Sequence, residues 1–248
     1  MKRSHKIINC KEHFSNTCRT TPFIVVEYDF DYANCDDKAI LDDLIVAAET
    51  LASQVNPGAA NDSTVARSNN RILANCIAGV VSEFCWKDFL NAKPDSKDAK
   101  RVDSTPFTEA KNQIDLEVIA NHKKIEVRSS FPRNGIEFAI CNNPYEFDIL
   151  GPYSNSYKPG EIQKDYYVRT LYHLERPTDI INVIRSNSFS VILAGGATWS
   201  MMLDDSISKD KSLVPDDEMV ESETLYRVVP YHNALDCRDI YLLISQEK

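Results

Sequence analysis

The stretch IDLEVIANHKKIEVRSS, residues 114–130, predicts two short β-strands joined by a turn at Asn121-His122. Apolar and charged residues alternate on both sides of the turn, which is the period-two pattern of strands that bury one face. Asn tolerates the positive φ that a two-residue turn needs, and His tolerates it less well. The pattern therefore predicts a hairpin with one apolar face and one charged face.

Four charged residues are predicted to share the second face of this hairpin. With a two-residue turn, Glu117 lies opposite Glu126 and Asp115 lies opposite Arg128. Asp115 and Glu126 are then diagonal neighbours, with Cα atoms about 7–8 Å apart. Carboxylates at that spacing can converge on one Mg²⁺ ion, which would offset their mutual repulsion. The alternative is the solvated outer face of an edge hairpin, where mixed charges are common.

The order of these residues resembles the PD-(D/E)XK nuclease superfamily, which has the restriction-endonuclease-like fold. In that superfamily an Asp on one strand and an acid-x-Lys on the next bind Mg²⁺ and support phosphodiester hydrolysis. Asp115, a gap of ten residues and Glu126-Val127-Arg128 follow the same order. The resemblance covers about residues 69 to 230. It implies an α/β or α+β protein with a central mixed sheet flanked by helices.

The resemblance also implies a metal site. Asp115, Glu126 and the carbonyl of Val127 would bind Mg²⁺, for which Mn²⁺ can substitute. Glu83 would assist through water, because it lies at the edge of the apolar face of a helix predicted over residues 69–90. The alternative for Glu83 is a surface salt bridge to a lysine.

Two positions depart from the superfamily pattern. Ile114 replaces the usual Pro, which is the least essential position of the motif. Arg128 replaces the usual Lys, and an Arg stays charged and cannot act as a base. Arg128 can still stabilise negative charge in the transition state. Lys124, two residues before Glu126, is the candidate replacement for the missing catalytic amine.

The function implied by the resemblance is a Mg²⁺-dependent endonuclease acting on double-stranded DNA, of the type II-like restriction kind. Arg133, Asn134 and Lys158, in the loop 131–164, are candidate DNA contacts, because Arg and Asn side chains read base edges. The alternative for that loop is a packed surface excursion. Many restriction enzymes are dimers, so a homodimer is a candidate assembly. The alternative function is a catalytically impaired module of the same fold that binds DNA or a partner protein.

Composition and charge set the remaining expectations. The chain has 248 residues and a net charge of −9, so no overall basic surface for nucleic acid is evident from composition. Its apolar runs are far shorter than the roughly 20 residues of a membrane helix, and its seven cysteines contain no CxxC pair. We therefore predict a cytoplasmic protein with free thiols and no membrane association. The predicted division is an N-terminal extension or subdomain over 1–66 and a nuclease core over 67–248.

Periodicity and turn residues predict the other elements. Strands are expected over 23–32, 165–174 and 189–196, and helices over 37–54, 69–90, 178–187 and from Thr198 onward. Residues 91–112, 142–163 and 204–223 are expected to be loops. Residues 225–244 are expected to form a strand, a turn and a last strand.

Overall fold

A computed structural model of the chain describes residues 1–13, 19, 21–55, 67–92, 101–106, 113–142, 147–154, 161, 163–212 and 225–246. Within these ranges the fold is α+β. A large, mainly antiparallel sheet is flanked by helices, and a smaller sheet of three strands lies beside it. The strands of the described residues are, in chain order, β1 (Lys2–Ile8), β2 (Phe23–Phe30), β3 (Val102–Ser104), β4 (Leu116–Val118), β5 (Lys123–Ser130), β6 (Asp148–Tyr153), β7 (Tyr166–Leu171), β8 (Phe189–Thr198), β9 (Lys209–Ser212) and β10 (Leu225–Pro230).

The large sheet has the strand order β1-β2-β8-β7-β5-β4-β3, and the small sheet has the order β6-β10-β9. Every neighbouring pair in the large sheet is antiparallel except β5 and β7, which run parallel. Parallel neighbours cannot be joined by a tight turn. Residues 131–165 make the crossover between β5 and β7, and this crossover contains β6.

The helices of the described residues are α1 (Cys10–His13), α2 (Cys35–Gln54), α3 (Asn69–Asn91), α4 (Ile136–Cys141), α5 (Ile180–Val183), α6 (Trp199–Leu203) and α7 (Cys237–Gln246). The two long helices begin at capping side chains, as their sequences favour. Asn34 accepts hydrogen bonds from the first turn of α2, and Ser68 accepts one from the N–H of Arg71 in α3. None of the described helices has the length and apolar character needed to cross a lipid bilayer.

The large sheet is buried on both faces, because its strands send alternate side chains to opposite sides. One face packs against α2, α3 and α7 around Tyr28, Leu193 and Val168. The other face packs against α4, α6 and the small sheet around Val25 and Tyr167. The site strand β5 lies in the middle of this arrangement, with α3 on one side and the small-sheet layer on the other.

The predicted elements are confirmed for the strongest patterns and wrong in several weaker ones. Strands β2, β7 and β8 and helices α2, α3 and α6 lie where the sequence predicts them. The predicted last strand is wrong, because residues 237–246 form helix α7. Its buried residues Cys237, Ile240 and Ile244 follow helical spacing, which a short apolar run does not distinguish from strand alternation. The predicted loops contain the short strands β3, β6 and β9.

The prediction of free thiols throughout is also wrong. Cys10 in α1 and Cys141 in α4 form a disulfide. Cys35, Cys76, Cys85 and Cys237 are free. The disulfide links two short helices that are 131 residues apart in sequence.

The N-terminal residues contribute to the large sheet. Strand β2 pairs with β8, with Val26 beside Leu193, and β1 pairs with the other edge of β2. Helix α2 packs against α3 in the same apolar core. Residues 2–8 and 23–30 are therefore strands of the sheet that holds Glu126. The division of the chain at residue 66 stays a prediction.

Candidate functional site

The charged hairpin forms as predicted, but with a different turn and register. Strand β4 ends at Val118 and pairs with β5 from Lys123, so the turn has four residues, 119–122. His122 takes the positive φ of 58°, a conformation that His adopts more readily than most non-glycine residues. The expected two-residue turn at Asn121-His122 is therefore wrong.

The longer turn changes the cross-strand partners. Glu117 lies opposite Lys124, not opposite Glu126, and its carboxylate contacts the imidazole of His122. Continuing the same register by one residue places Asp115 beside Glu126, not beside Arg128. The two acids proposed to share a cation are thus direct rather than diagonal neighbours. The predicted position of Glu117 opposite Glu126 is therefore wrong, and Lys124 lies opposite Glu117 instead.

Asp115 lies where β4 leaves β5. The backbone pairing of these strands stops at Ile125, and the Asp115 carboxylate then accepts a hydrogen bond from the N–H of Val127 at 2.7 Å. In an extended strand the N–H and C=O of one residue leave the same edge. The carbonyl of Val127 therefore points to the same edge of β5 as the Asp115 carboxylate.

Glu126 is buried and held between two cations. Its Oε1 lies 2.6 Å from Nη2 of Arg128, and its Oε2 lies 3.1 Å from Nζ of Lys164. The Lys164 side chain is 4% exposed, and Lys164 precedes β7 on the side of β5 away from β4. The Glu126 carboxylate raises the pKa of the Arg128 guanidinium. Both carboxylate oxygens of Glu126 are therefore engaged by cations.

The third acid, Glu83, is held near the other two by α3. Two buried hydrogen bonds hold this helix on either side of Glu83, one between Ser82 and Tyr172, just after β7, and one from Trp86 to Thr170 in β7. Burial raises the pKa of Glu83 well above its ordinary value, and the charges of Asp115 and Glu126 raise it further. The three carboxylates therefore repel one another when they are charged.

Burial also raises the pKa of Asp115, to about 7, and the Glu126 charge adds to that effect. The hydrogen bond from Val127 acts in the opposite direction, because it stabilises the carboxylate. A divalent cation at this position would favour the charged forms of the acids. Mg²⁺ is bound by carboxylate and carbonyl oxygens, and Asp115, Glu126 and the Val127 carbonyl supply those donors.

No three His, Cys, Asp or Glu side chains form a ready metal cluster among the residues that the structure describes. The donor set implied by the sequence contains only two direct carboxylates, with the Val127 carbonyl as the third donor and Glu83 acting through water. The chemistry of these donors fits Mg²⁺. The arrangement differs from a preformed site in that Glu126 is engaged by Arg128 and Lys164.

Two residues of the candidate site, Lys164 and Arg169, were not predicted from the sequence. Lys164 holds its amine at ion-pair distance from Glu126, whereas Lys124 lies opposite Glu117 across the hairpin. Arg169 lies beside Arg128 on β7. A signal for Arg169 was present, because it is a charged residue in the middle of the apolar strand YYVRTLY. No sequence signal identified β7 as the neighbour of β5.

The candidate DNA contacts are described in part. Arg133 and Asn134 are exposed in the turn between β5 and α4, and Gly135 follows them with a φ of 90°. Asn134 also lines an open groove of about 910 Å³ that includes Lys6. Lys158 lies outside the described residues. The roles of these three residues in DNA binding stay predictions.

Comparison with known proteins adds little to these observations. No model of a known protein family and no solved structure matches the chain. An uncharacterized protein of Methanocaldococcus jannaschii, MJECS01, is 33% identical to the chain over 122 residues. The matched segment is 46% of this chain and 43% of that protein, so the chain spans less than half the length of this relative. The name of the relative states no activity.

Proposed function

We propose that the chain is a Mg²⁺-dependent endonuclease of the PD-(D/E)XK superfamily that hydrolyses phosphodiester bonds of double-stranded DNA, in the manner of a type II-like restriction enzyme. The observation that supports this proposal is the meeting of Asp115, Glu126 and the Val127 backbone at the open edge of β5. Clustered acids with raised pKa values, next to ion-paired cations, are typical of catalytic sites.

Each residue has a role in hydrolysis under this proposal. When bound, Mg²⁺ would lower the pKa of the attacking water and offset charge on the phosphate. Asp115, Glu126 and the Val127 carbonyl would hold the ion, and Glu83 would orient one of its waters. The water oxygen adds to phosphorus and releases one proton to solvent, the bond to the leaving sugar oxygen breaks, and that oxygen takes up a proton from solvent.

The two cations beside Glu126 would act on the substrate. Arg128 would donate hydrogen bonds to the non-bridging oxygens of the scissile phosphate, where charge accumulates. Lys164, and not Lys124, is the amine in position to hold the attacking water, because its Nζ lies 3.1 Å from Glu126. Lys164 would thus supply the amine that the superfamily usually places at the position of Arg128.

DNA cleavage with matched variants tests the proposal. Phage genomic DNA presents many sequences at once and is incubated with the protein and Mg²⁺ or Mn²⁺. We expect discrete fragments from the wild type and none from Glu126→Gln or Asp115→Asn. Glu117→Gln is the matched control, since Glu117 lies on the same hairpin and contacts His122 instead of the site. Cleavage that survives Glu126→Gln would show that these carboxylates are not the catalytic centre.

A catalytically impaired DNA-binding or protein-interaction module is the second candidate. It is favoured by the ion pairs that engage both oxygens of Glu126 and by Arg in place of Lys at position 128. Arg128→Lys separates the two candidates. An inert wild type that gains nicking through this substitution is a degraded nuclease. A protein that neither cuts DNA nor binds Mn²⁺ in either form favours the interaction role.

A further inference from the structure

Two arginines lie side by side on the parallel strands of the site. The register of β5 and β7 places Arg128 next to Arg169, and strand alternation sends both side chains to the face that carries Glu126. Arg169 is 4% exposed, and the Arg128 side chain is 31% exposed. Nη2 of Arg169 donates a hydrogen bond to the hydroxyl of Ser130, which projects from the same face. We call Arg128 and Arg169 the arginine pair.

The two arginines of the pair differ in their carboxylate partners. Glu126 forms ion pairs with both Arg128 and Lys164. Asp148, the other carboxylate that acts on the buried arginine, is paired with Lys211. Each of these two carboxylates is therefore already engaged by a cation other than Arg169. Within the part of the chain that the structure describes, the buried arginine of the pair has no carboxylate at ion-pair distance.

The hydrogen-bonding groups of the arginine pair are also incompletely used. Nε and Nη1 of Arg169 and Nε of Arg128 are buried and have no hydrogen-bond partner. Buried, unpaired donors on a charged group are costly, and they are usually matched by a partner or a ligand. Within the chain, the competing partner for Arg169 is Asp148, whose Oδ1 is likewise buried without a hydrogen bond.

A phosphate group has the acceptor oxygens that the unpaired donors of the arginine pair lack. The planar guanidinium of an Arg can donate two parallel hydrogen bonds to phosphate oxygens. Because the Arg128 side chain is partly exposed, a ligand can reach the arginine pair from solvent. We infer that Arg128, Arg169 and the hydroxyl of Ser130 bind one phosphate group of a nucleic-acid strand.

The position of the arginine pair connects this phosphate with the catalytic acids. Arg128 is two residues from Glu126 on the same strand face, a distance of about 6–7 Å along β5. A phosphate held there would lie beside the acids proposed to hold the metal. The nucleic-acid origin of the phosphate rests on the proposed function, whereas the affinity of the pair for phosphate does not.

Titration of the metal-free protein with inorganic phosphate tests the site without any cleavage reaction. Binding is measured by calorimetry and by the rise in Tm, against sodium chloride at the same ionic strength. We expect phosphate, and not chloride, to raise the Tm of the wild type. In Arg169→Met the affinity should fall by roughly tenfold or more, because hydrogen bonds between charged groups contribute about 1.5–3 kcal/mol.

The stability of the variants shows whether lost binding reflects a lost site or a damaged fold. Arg169→Met removes an unpaired buried charge, so its Tm without phosphate should equal or exceed that of the wild type. Arg176→Met is the matched control, because it removes an exposed guanidinium paired with Asp179, and it should bind phosphate normally. Unchanged phosphate affinity in Arg169→Met would overturn the inference. So would a destabilised Arg169→Met whose stability returns with Asp148→Asn, since that result identifies Asp148 as the partner.

Binding of a short DNA duplex in Ca²⁺ identifies the source of the phosphate. Arg169→Met should weaken duplex binding and reduce its salt dependence by about one phosphate contact. Loss of inorganic phosphate binding with intact duplex binding would overturn the nucleic-acid assignment. Failure of the nuclease proposal has a different signature, in which the wild type does not cut DNA but its phosphate binding still depends on Arg169.

Discussion

The Asp115 carboxylate accepts a hydrogen bond from the backbone N–H of Val127 at 2.7 Å, at the point where β4 separates from β5. The side chain takes the place of the next backbone partner in the ladder. An acid is thereby held at the edge of β5 with one oxygen engaged by the backbone. This relationship, rather than cross-strand pairing alone, places Asp115 beside Glu126.

The raised pKa of Asp115 predicts how stability depends on pH. Its folded-state pKa of about 7 lies above the ordinary value of 3.8, so between these values the folded protein retains a proton that the unfolded chain releases. This group therefore increases the free energy of unfolding at low pH, and its contribution declines as the pH rises toward 7. Asp115→Asn keeps an acceptor for Val127 and removes the titration.

We expect Asp115→Asn to match the wild type in stability near pH 4 and to exceed it at pH 8, by on the order of 2 kcal/mol, when no metal is present. Urea unfolding of both proteins at the two pH values measures the difference. A stability difference that is the same at both pH values would contradict the raised pKa.

The position of Lys164 predicts which lysine supports cleavage. Under the proposed function, Lys164→Met should reduce the cleavage rate by about a hundredfold or more, because misplacement of the attacking water costs on the order of that factor. Lys124→Met is the matched control and should change the rate by less than about fivefold, as expected for a partly exposed cross-strand pair. Single-turnover cleavage with Mn²⁺ measures both rates. The reverse order of effects would assign the catalytic amine to Lys124.

Glu83 is expected to decrease stability in the metal-free protein and to support metal binding. Burial and two neighbouring acids raise its pKa, so Glu83→Gln should increase the free energy of unfolding at pH 8 and increase it less at pH 4. The same substitution should weaken Mn²⁺ binding, measured by calorimetry. A Glu83→Gln variant that is less stable and binds Mn²⁺ normally would indicate a purely structural glutamate.

The disulfide between Cys10 and Cys141 should stabilise the fold. It closes a loop across 131 residues, for which the loss of unfolded-chain entropy amounts to up to about 5 kcal/mol. The double variant Cys10→Ser/Cys141→Ser should unfold at lower urea concentration than the oxidised wild type and match the reduced wild type. Cys35→Ser, at an exposed free thiol, is the control and should have little effect. Identical unfolding midpoints with and without reductant would contradict the prediction.

The sequence predicted local features well and long-range neighbours poorly. Strand alternation predicted that Glu126 and Arg128 share a face, and helical spacing predicted α3 and the partly buried position of Glu83. The predicted cross-strand register was wrong by two residues, because the turn has four residues instead of two. A His at positive φ within a four-residue turn has no distinctive sequence signal. Side-chain alternation gives the face of a strand but not the identity of the adjacent strand.

For that reason Lys164 and Arg169 were missed. Both reach Glu126 and Arg128 through the parallel pairing of β5 with β7, which follows a crossover of more than thirty residues. The last helix was missed for another reason. Its apolar residues are too few to separate a period of 3.6 from a period of two.

The parallel pairing of β5 with β7 has a consequence for how such a protein can diversify. The ladder between the two strands sets the relative positions of Glu126, Arg128 and Arg169, and the intervening crossover does not. Insertions or deletions after β5 and before Lys164 would therefore leave the spacing of Glu126, Arg128 and Arg169 unchanged. If the proposed function is correct, changes in this crossover could alter the preferred target during evolution while Glu126, Arg128 and Arg169 keep their relative positions.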